Sequence, residues 1–323
     1  MPDSGTGRGE RHIKKSFSLF REKSKAITVT DIYRFIEKQK QHAKAKWAEI
    51  LGVSTSGYYS YLKNRNYREI RKEKIREKVK ELFRQEGKGT YGAQRICGCM
   101  RRDGWKASYP VVKRIMAEEG LKSSHCRRRQ RSLTDSSRSR GDEYKNLTKG
   151  LDIAKPFQVL SSDISYVRTG EGFDYLCQVR DVFTNTVLAE CQSERMKAEL
   201  VSRTIKMAYD RWRLPEGVIF QNDRGSQYTA KEVMQQIKGY GWVQSFSRVG
   251  KPGDNAWSES FFSVLKKEII HWHFYPTREE ARQKIFEYIE VFYNRERAQK
   301  RLGYLSPIQY LEQWQMREID EAA

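Results

Sequence analysis

The 323 residues suffice for two or three domains, and 62 Lys and Arg against 41 Asp and Glu give a formal charge of +21. The excess lies entirely in the first half, since residues 1–150 hold 38 basic and 17 acidic side chains while residues 151–323 hold 24 of each. That imbalance suggests one part that grips a polyanion and another that acts on it, and it leaves no membrane-spanning or signal-like apolar run and no bulky apolar face for a membrane surface.

Residues 1–25 show no periodicity and read as a flexible amino-terminal tail. From Ile27 the pattern turns helical, with Trp47, Ile50 and Leu51 as an apolar stripe that stops at Gly52. Gly52 permits a tight turn, Ser54 can cap the next helix, and Tyr58 and Leu62 repeat four residues apart. Residues 26–66 therefore read as a helix-turn-helix, with Ser54, Thr55, Ser56 and Tyr58 as candidate DNA contacts. An ordinary helical hairpin is the alternative, and the surrounding charge favours DNA.

Residues 67–122 form a second helical unit of the same kind: a charged helix from about Arg68 to Gln85, the loop at Gly87–Gly92, a helix through Arg102 and another from Tyr109 to Glu119. Ser108 is the expected cap, Pro110 suits a first turn and Gly120 an end, so the last helix would present Lys113 and Arg114 to DNA. In residues 123–150, Arg127, Arg128, Arg129 and Arg131 stand in a Ser/Arg-rich stretch unable to build a core, which reads as a basic arm or linker. The five cysteines form no disulfide framework. Cys97, Cys99, His125 and Cys126 also have spacings that suit zinc poorly.

Residues 151–300 change character. β-rich runs at Phe157–Val167, Phe173–Val182 and Thr186–Gln192 precede a helix from Lys197 to Trp212, a strand Gly217–Gln221, a helix from about Ala230 and a strand Trp242–Ser247. Helices at Ala256–Ile270 and Thr277–Arg297 follow, and residues 301–323 are expected as a carboxy-terminal tail. A three-strand meander followed by alternating helix and strand predicts a mixed five-stranded sheet with helices on both faces, an α/β architecture that fits the ribonuclease-H-like fold.

Three acids stand out. Asp163 lies mid-strand in Leu160–Val167, where alternation puts Ser161, Asp163 and Ser165 on one face; an acid on a solvated edge strand is the competing reading. Asp223 ends the fourth strand just before Arg224, with Thr229 and Glu232 spaced as a capping box for the next helix. Glu259 follows the expected cap Asn255 and shares a helical face with Ser263 and Lys266. Asp254 and Glu268 are its rivals, but Glu268 is nine residues on, roughly 900° or half a turn away, so both glutamates cannot serve one site from a straight helix. Converging carboxylates are hard ligands suited to Mg2+, the ion that phosphodiester chemistry calls for.

The phrases Asn222-Asp223-Arg224-Gly225-Ser226-Gln227-Tyr228-Thr229 and Asp254-Asn255-Ala256, Glu259-Ser260-Phe261-Phe262 and Leu265-Lys266, with 35 residues between Asp223 and Glu259, resemble bacterial insertion-sequence transposases. With Ser162-Asp163-Ile164-Ser165-Tyr166, Gly89-Thr90-Tyr91-Gly92 and Tyr293-Asn294 through Pro307, the chain is similar to the second-frame products of the insertion-sequence-three family, which carry a retroviral-integrase-like core.

That resemblance implies a DDE transposase with Asp163, Asp223 and Glu259 as catalytic and metal ligands and Lys266 as a DNA-contacting residue. It further implies two Mg2+ ions per active site, with Mn2+ able to substitute, and terminal inverted repeats and target DNA as double-stranded partners. Direct strand transfer, commonly through a circular intermediate, and a homodimer or larger synaptic complex in a bacterial cytoplasm, associated with the nucleoid through DNA, are also expected. Relatives more often have Thr where this chain has Ser162. They usually act as frameshift fusions with an upstream zipper, and residues 1–45 carry no sustained heptads, so this chain is expected either to lack that segment or to organise its dimer otherwise. A non-catalytic regulator and a nuclease that cuts without joining are the other functional classes. The intact acids argue against the first, and resemblance alone separates the second.

Overall fold

The computed structural model describes residues 28–40, 43–124, 145–248 and 255–322. It divides into two units, Met1–Glu77 and Lys78–Ala323. The expected tail at 1–25 and the arm residues Arg127, Arg128, Arg129 and Arg131 lie outside the described residues.

In the first unit, helix α1 (Val29–Lys38) opens on a capping box in which Thr28 and Asp31 satisfy each other's backbone N–H groups. Helix α2 (Lys44–Ile50) ends at Gly52, whose φ of +69° is readily adopted only without a Cβ. Helix α3 (Thr55–Glu81) then starts where the Ser54 hydroxyl accepts from the Gly57 N–H at 3.2 Å. Ile36, Trp47, Ala48 and Tyr58 form the core, with Tyr33, Phe35 and Leu62 packed against it. Tyr58 is 1 % exposed and belongs to that core, which corrects its expected role as a DNA contact: at a buried i, i+4 position beside Leu62 the ring fills the space between α1 and α3. Ser54 and Ser56 are exposed, and Thr55 is half-buried.

Helix α3 runs unbroken through position 66, where two separate helices were expected. Between Tyr58 and Glu81 there is no Gly or Pro, and the pairs Arg65–Glu69, Glu73–Arg76 and Lys78–Glu81 support the exposed turns. Asn64 and Asn66 are too weakly unfavourable to interrupt it.

In the second unit, helices α4 (Ala93–Arg102) and α5 (Tyr109–Glu118) precede a five-stranded sheet of order β3-β2-β1-β4-β5. Strands β1 (Val159–Thr169), β2 (Gly172–Asp181) and β3 (Val187–Ser193) form the antiparallel meander, turned at Gly170 and Glu171. Strands β4 (Ile219–Asn222) and β5 (Val243–Phe246) add in parallel to β1. Helices α6 (Ala198–Trp212) and α7 (Lys231–Gly239) make the crossovers. Their apolar stripes (Leu200, Val201, Ile205, Ala208; Val233, Ile237) pack on Leu160, Cys177, Val179 and Phe220 of the sheet.

Helix α8 (Ala256–Glu268) lies on the opposite face. There Gln178 of β2 donates to the Ser258 hydroxyl at 3.3 Å, and Arg180 donates to the Trp257 carbonyl at 2.5 Å. Helix α9 (Arg278–Phe286) continues as a widened turn to Tyr293. The strand order, with helices on both faces, is that of the ribonuclease-H-like integrase core.

Three expected caps are absent. Helix α7 begins at Lys231 without a Thr229 cap, and neither Ser108 nor Asn255 caps its helix through its side chain. Residues 301–323, expected as a tail, carry helix α10 (Pro307–Ala322), whose Leu311 is buried and whose Tyr310 and Trp314 rings meet Phe183. No helix among the described residues is long and apolar enough to cross a membrane. Cys97, Cys99, Cys177 and Cys191 are buried free thiols.

Candidate active site

Strands β1 and β4 pair in parallel with Ser161 opposite Gln221. Asp163 follows Ser161 by two residues within β1, and Asp223 follows Gln221 by two, just past the end of β4, where its charge bears on Asp163. The pairing follows from sequence: Val159 and Leu160 align with Ile219 and Phe220, both strands buried between helix layers. It therefore presents two acids at the carboxyl end of β4, next to the loop where α/β sheets bind ligands.

Each carboxylate is held by its neighbours. Asp163 accepts from the Ile164 N–H at 2.8 Å and from Asn255 Nδ2 at 3.1 Å. Asp223 accepts from the Gly225 N–H at 2.9 Å, and a Cβ on Gly225 would sit 3.0 Å from that same oxygen, so the close approach calls for glycine. Burial pushes the Asp163 carboxyl up to about 7, reinforced by the charge of Asp223 and, more weakly, of Glu259. Burial also raises Asp223 above the usual carboxylate range.

Beneath them the fully buried Tyr228 hydroxyl lies 2.8 Å from Ser162 Oγ, tying the loop after Asp223 to the strand residue before Asp163. Lys266 of α8, half-buried, lies 5.2 Å from the Tyr166 ring and feels the Asp163 charge, while burial lowers its affinity for a proton.

Glu259 stands exposed on the first turn of α8, near enough to bear on Asp163. Among the described residues no three His, Cys, Asp or Glu side chains group closely enough to hold one metal ion together. The structure thus brings two of the three expected acids together and leaves the third beside them. Its rival Glu268 is fully buried and held by Arg297 (2.7 and 2.8 Å) and the Tyr288 hydroxyl (2.7 Å), away from this site. Asp254 lies outside the described residues.

Asn255 and Tyr228 were missed as site residues. The sequence suggests Asn255 as a cap, and its adjacency to the acidic motif is the available signal. Nothing in the sequence announced the Tyr228–Ser162 contact. Lys113 and Arg114 are exposed on α5, whose other side buries Val112, Ile115 and Met116.

A mixed sheet with one aspartate within its central strand and a second just past the end of the neighbouring parallel strand is the arrangement of an integrase-type polynucleotidyl transferase. Residues 154–252 match an integrase core domain family, residues 259–314 a second integrase core domain family, and residues 70–130 an HTH-like domain. The chain is 33 % identical over 82 % of its length to a 31 kDa protein of insertion element IS600 from Shigella sonnei, covering 97 % of that protein. It is 32 % identical over 86 % of its length to transposase InsF of IS3A from Escherichia coli K12, covering 97 % of it. With the IS904 transposase of Lactococcus lactis the identity is 34 % over 74 % of this chain and 94 % of that one. The chain belongs to the IS3 family of DDE transposases, the enzymes that move insertion sequences.

Proposed function

We propose that this transposase binds the terminal inverted repeats of its element and a target duplex, in the bacterial cytoplasm at the nucleoid. There it cuts and joins their strands by direct transesterification. Asp163, Asp223 and Glu259 would hold two divalent ions, Mg2+ with Mn2+ as substitute. The observation that supports this reading is the closeness of Asp163 and Asp223, each two residues past a matched pair on adjacent parallel strands, where burial and the Asp223 charge push the Asp163 carboxyl up to about 7. Carboxylates that repel each other without a cation are stabilised by one, and an all-oxygen donor set fits a hard divalent ion.

Such ions, when bound, activate the attacking oxygen and stabilise the leaving one. The chain's own groups prepare the site. Asn255 fixes one oxygen of Asp163, the Gly225 N–H fixes one oxygen of Asp223, and the Tyr228–Ser162 contact sets the spacing of the strands that bear them. Glu259 approaches from α8, and Lys266 places a cation beside Asp163 where a phosphate would lie. Ser54, Thr55 and Ser56 at the start of α3, Lys113 and Arg114 on α5, and the arm residues Arg127, Arg128, Arg129 and Arg131 would grip DNA, with two or more copies in the synaptic complex.

The test is strand transfer on a duplex carrying the element's own terminal repeat. Joint molecules are expected with Mg2+ or Mn2+, and Asp163→Asn or Asp223→Asn should abolish nicking and joining while end binding persists. Nicks without joint products would make the protein a nuclease, and strand transfer by either variant would overturn the metal assignment.

A further inference from the structure

The HTH-like pair α4 and α5 is fastened to the catalytic domain by contacts along the whole length of α4. At its start, the buried Tyr91 hydroxyl accepts from the Ala298 N–H at 2.7 Å, and Lys88 pairs with Glu296 at 2.7 Å. One turn on, Arg95 lies 3.6 Å from Glu268, which is itself clamped by Arg297 and Tyr288. In the middle, Gly98 lies flat against the Tyr304 ring, where a Cβ would come within 1.9 Å of the ring carbons. At the end, Arg102 donates to the Tyr304 carbonyl at 2.8 Å and pairs with Glu86 at 3.1 Å.

All five residues from Ile96 to Met100 are buried, so the middle of α4 is taken up by packing. Helix α5 instead keeps Tyr109, Lys113 and Arg114 open. The residue that Arg95 approaches, Glu268, closes the helix that carries Glu259 in its first turn, roughly 14 Å away at 1.5 Å per residue.

We propose that this docked pair is a fixed ruler: it holds the DNA-facing side of α5 at a set distance from Asp163 and Asp223, so the cut is measured from the bases that α5 covers. The inference rests on the reading of α5 as a DNA-binding helix. A module on a flexible tether would hold sequence recognition and cleavage together only loosely. A module clamped at both ends and in the middle of one helix cannot slide along the duplex independently of the acids.

The experiment uses the full chain and duplexes from the end of its own element with two, four or six base pairs inserted between the segment α5 protects and the cleaved bond. That segment is identified as the protection lost in Lys113→Ala/Arg114→Ala. The ruler requires the cut to stay at constant distance from the protected segment, moving into the inserted DNA by the number of added pairs. Cutting at the original terminal bond with undiminished rate in all three duplexes would overturn it.

A second variant, Arg102→Ala/Tyr304→Gly, loosens the docking while suiting the φ of +66° at position 304. Cuts spread over several neighbouring bonds with end affinity within about threefold are expected, whereas a single unshifted cut in this variant counts against the proposal. Should Lys113→Ala/Arg114→Ala lose no protection anywhere, the reading of α5 fails, and that result is distinct from any change in cut position.

Discussion

Asp163→Asn offers the sharpest test of the site's electrostatics, because it removes a charge and leaves the shape. In the metal-free fold burial and Asp223 push the Asp163 carboxyl from 3.8 up to about 7, whereas the unfolded chain releases that proton near 3.8. The folded state therefore binds more protons than the unfolded state between about pH 4 and 7. Stability from this group falls as pH rises through that window and stays low above it.

At about 1.4 kcal/mol per unit, the ionised carboxylate opposes folding by at most about 4 kcal/mol at pH 8 and by roughly 1–2 kcal/mol at pH 5. Asparagine cannot ionise, so its stability relative to wild type should grow by up to about 3 kcal/mol from pH 5 to pH 8. Urea unfolding of both proteins in EDTA at the two pH values measures the difference. Added Mn2+ or Mg2+ should then stabilise the wild type at pH 8 and the variant far less. Parallel pH dependences for the two proteins would refute the raised Asp163 carboxyl, which burial and, after it, the charge of Asp223 produce.

Gly225→Ala would set a methyl group 3.0 Å from the Asp223 oxygen; strand-transfer kinetics should show a fall on the order of 10- to 100-fold with end binding unchanged in gel shifts. Changing Arg127, Arg128, Arg129 and Arg131 together to Ala should flatten the plot of log affinity against log salt by roughly three to four units, at about 0.9 per phosphate, and an unchanged slope would make the arm a plain linker. Glu268→Gln strands the buried Arg297 and should lower stability by about 3–5 kcal/mol in denaturant unfolding, whereas Glu259→Gln, at an exposed position, should abolish nicking with an unaltered melting temperature.

The sheet was legible because its strands obey simple rules. Gly170 and Gly172 bracket the first hairpin, and apolar runs at Val159 and Ile219 mark strands covered on both faces. The helix boundaries in the basic half were less so. A capping residue is only an option for the chain: Ser108 there, like Thr229 in the catalytic half, has the right chemistry, yet the backbone enters those helices without using it. Equally, no local signal distinguishes one 27-residue helix from two shorter ones when polar residues fill the middle. The docking of α4 on the catalytic domain joins Tyr91 to Ala298 and Gly98 to Tyr304, pairs about two hundred residues apart, and such contacts leave no periodicity to read.

The acids were legible in a different degree. Asp163 and Asp223 each stood out alone, one by alternation within its strand and one by its place after a strand, and only the family resemblance joined them in one site. Tyr58 shows the opposite failure: the i, i+4 spacing with Leu62 that suggested a recognition helix is also the spacing of a core stripe, and burial decided for the core. For α8, helical geometry excluded Glu268 from the site of Glu259 without revealing what the far face does. A carboxylate at 0 % exposure needs a partner of opposite charge, and the sequence near it offers only Lys266, Lys267 and His271. Arg297, 29 residues on, supplies it, and Arg95 approaches from the HTH-like pair. The two ends of α8 thus answer to different demands, its first turn to the reacting acids and its last to the docked helices. A change at Glu268 should therefore reach catalysis only through the placement of the helix.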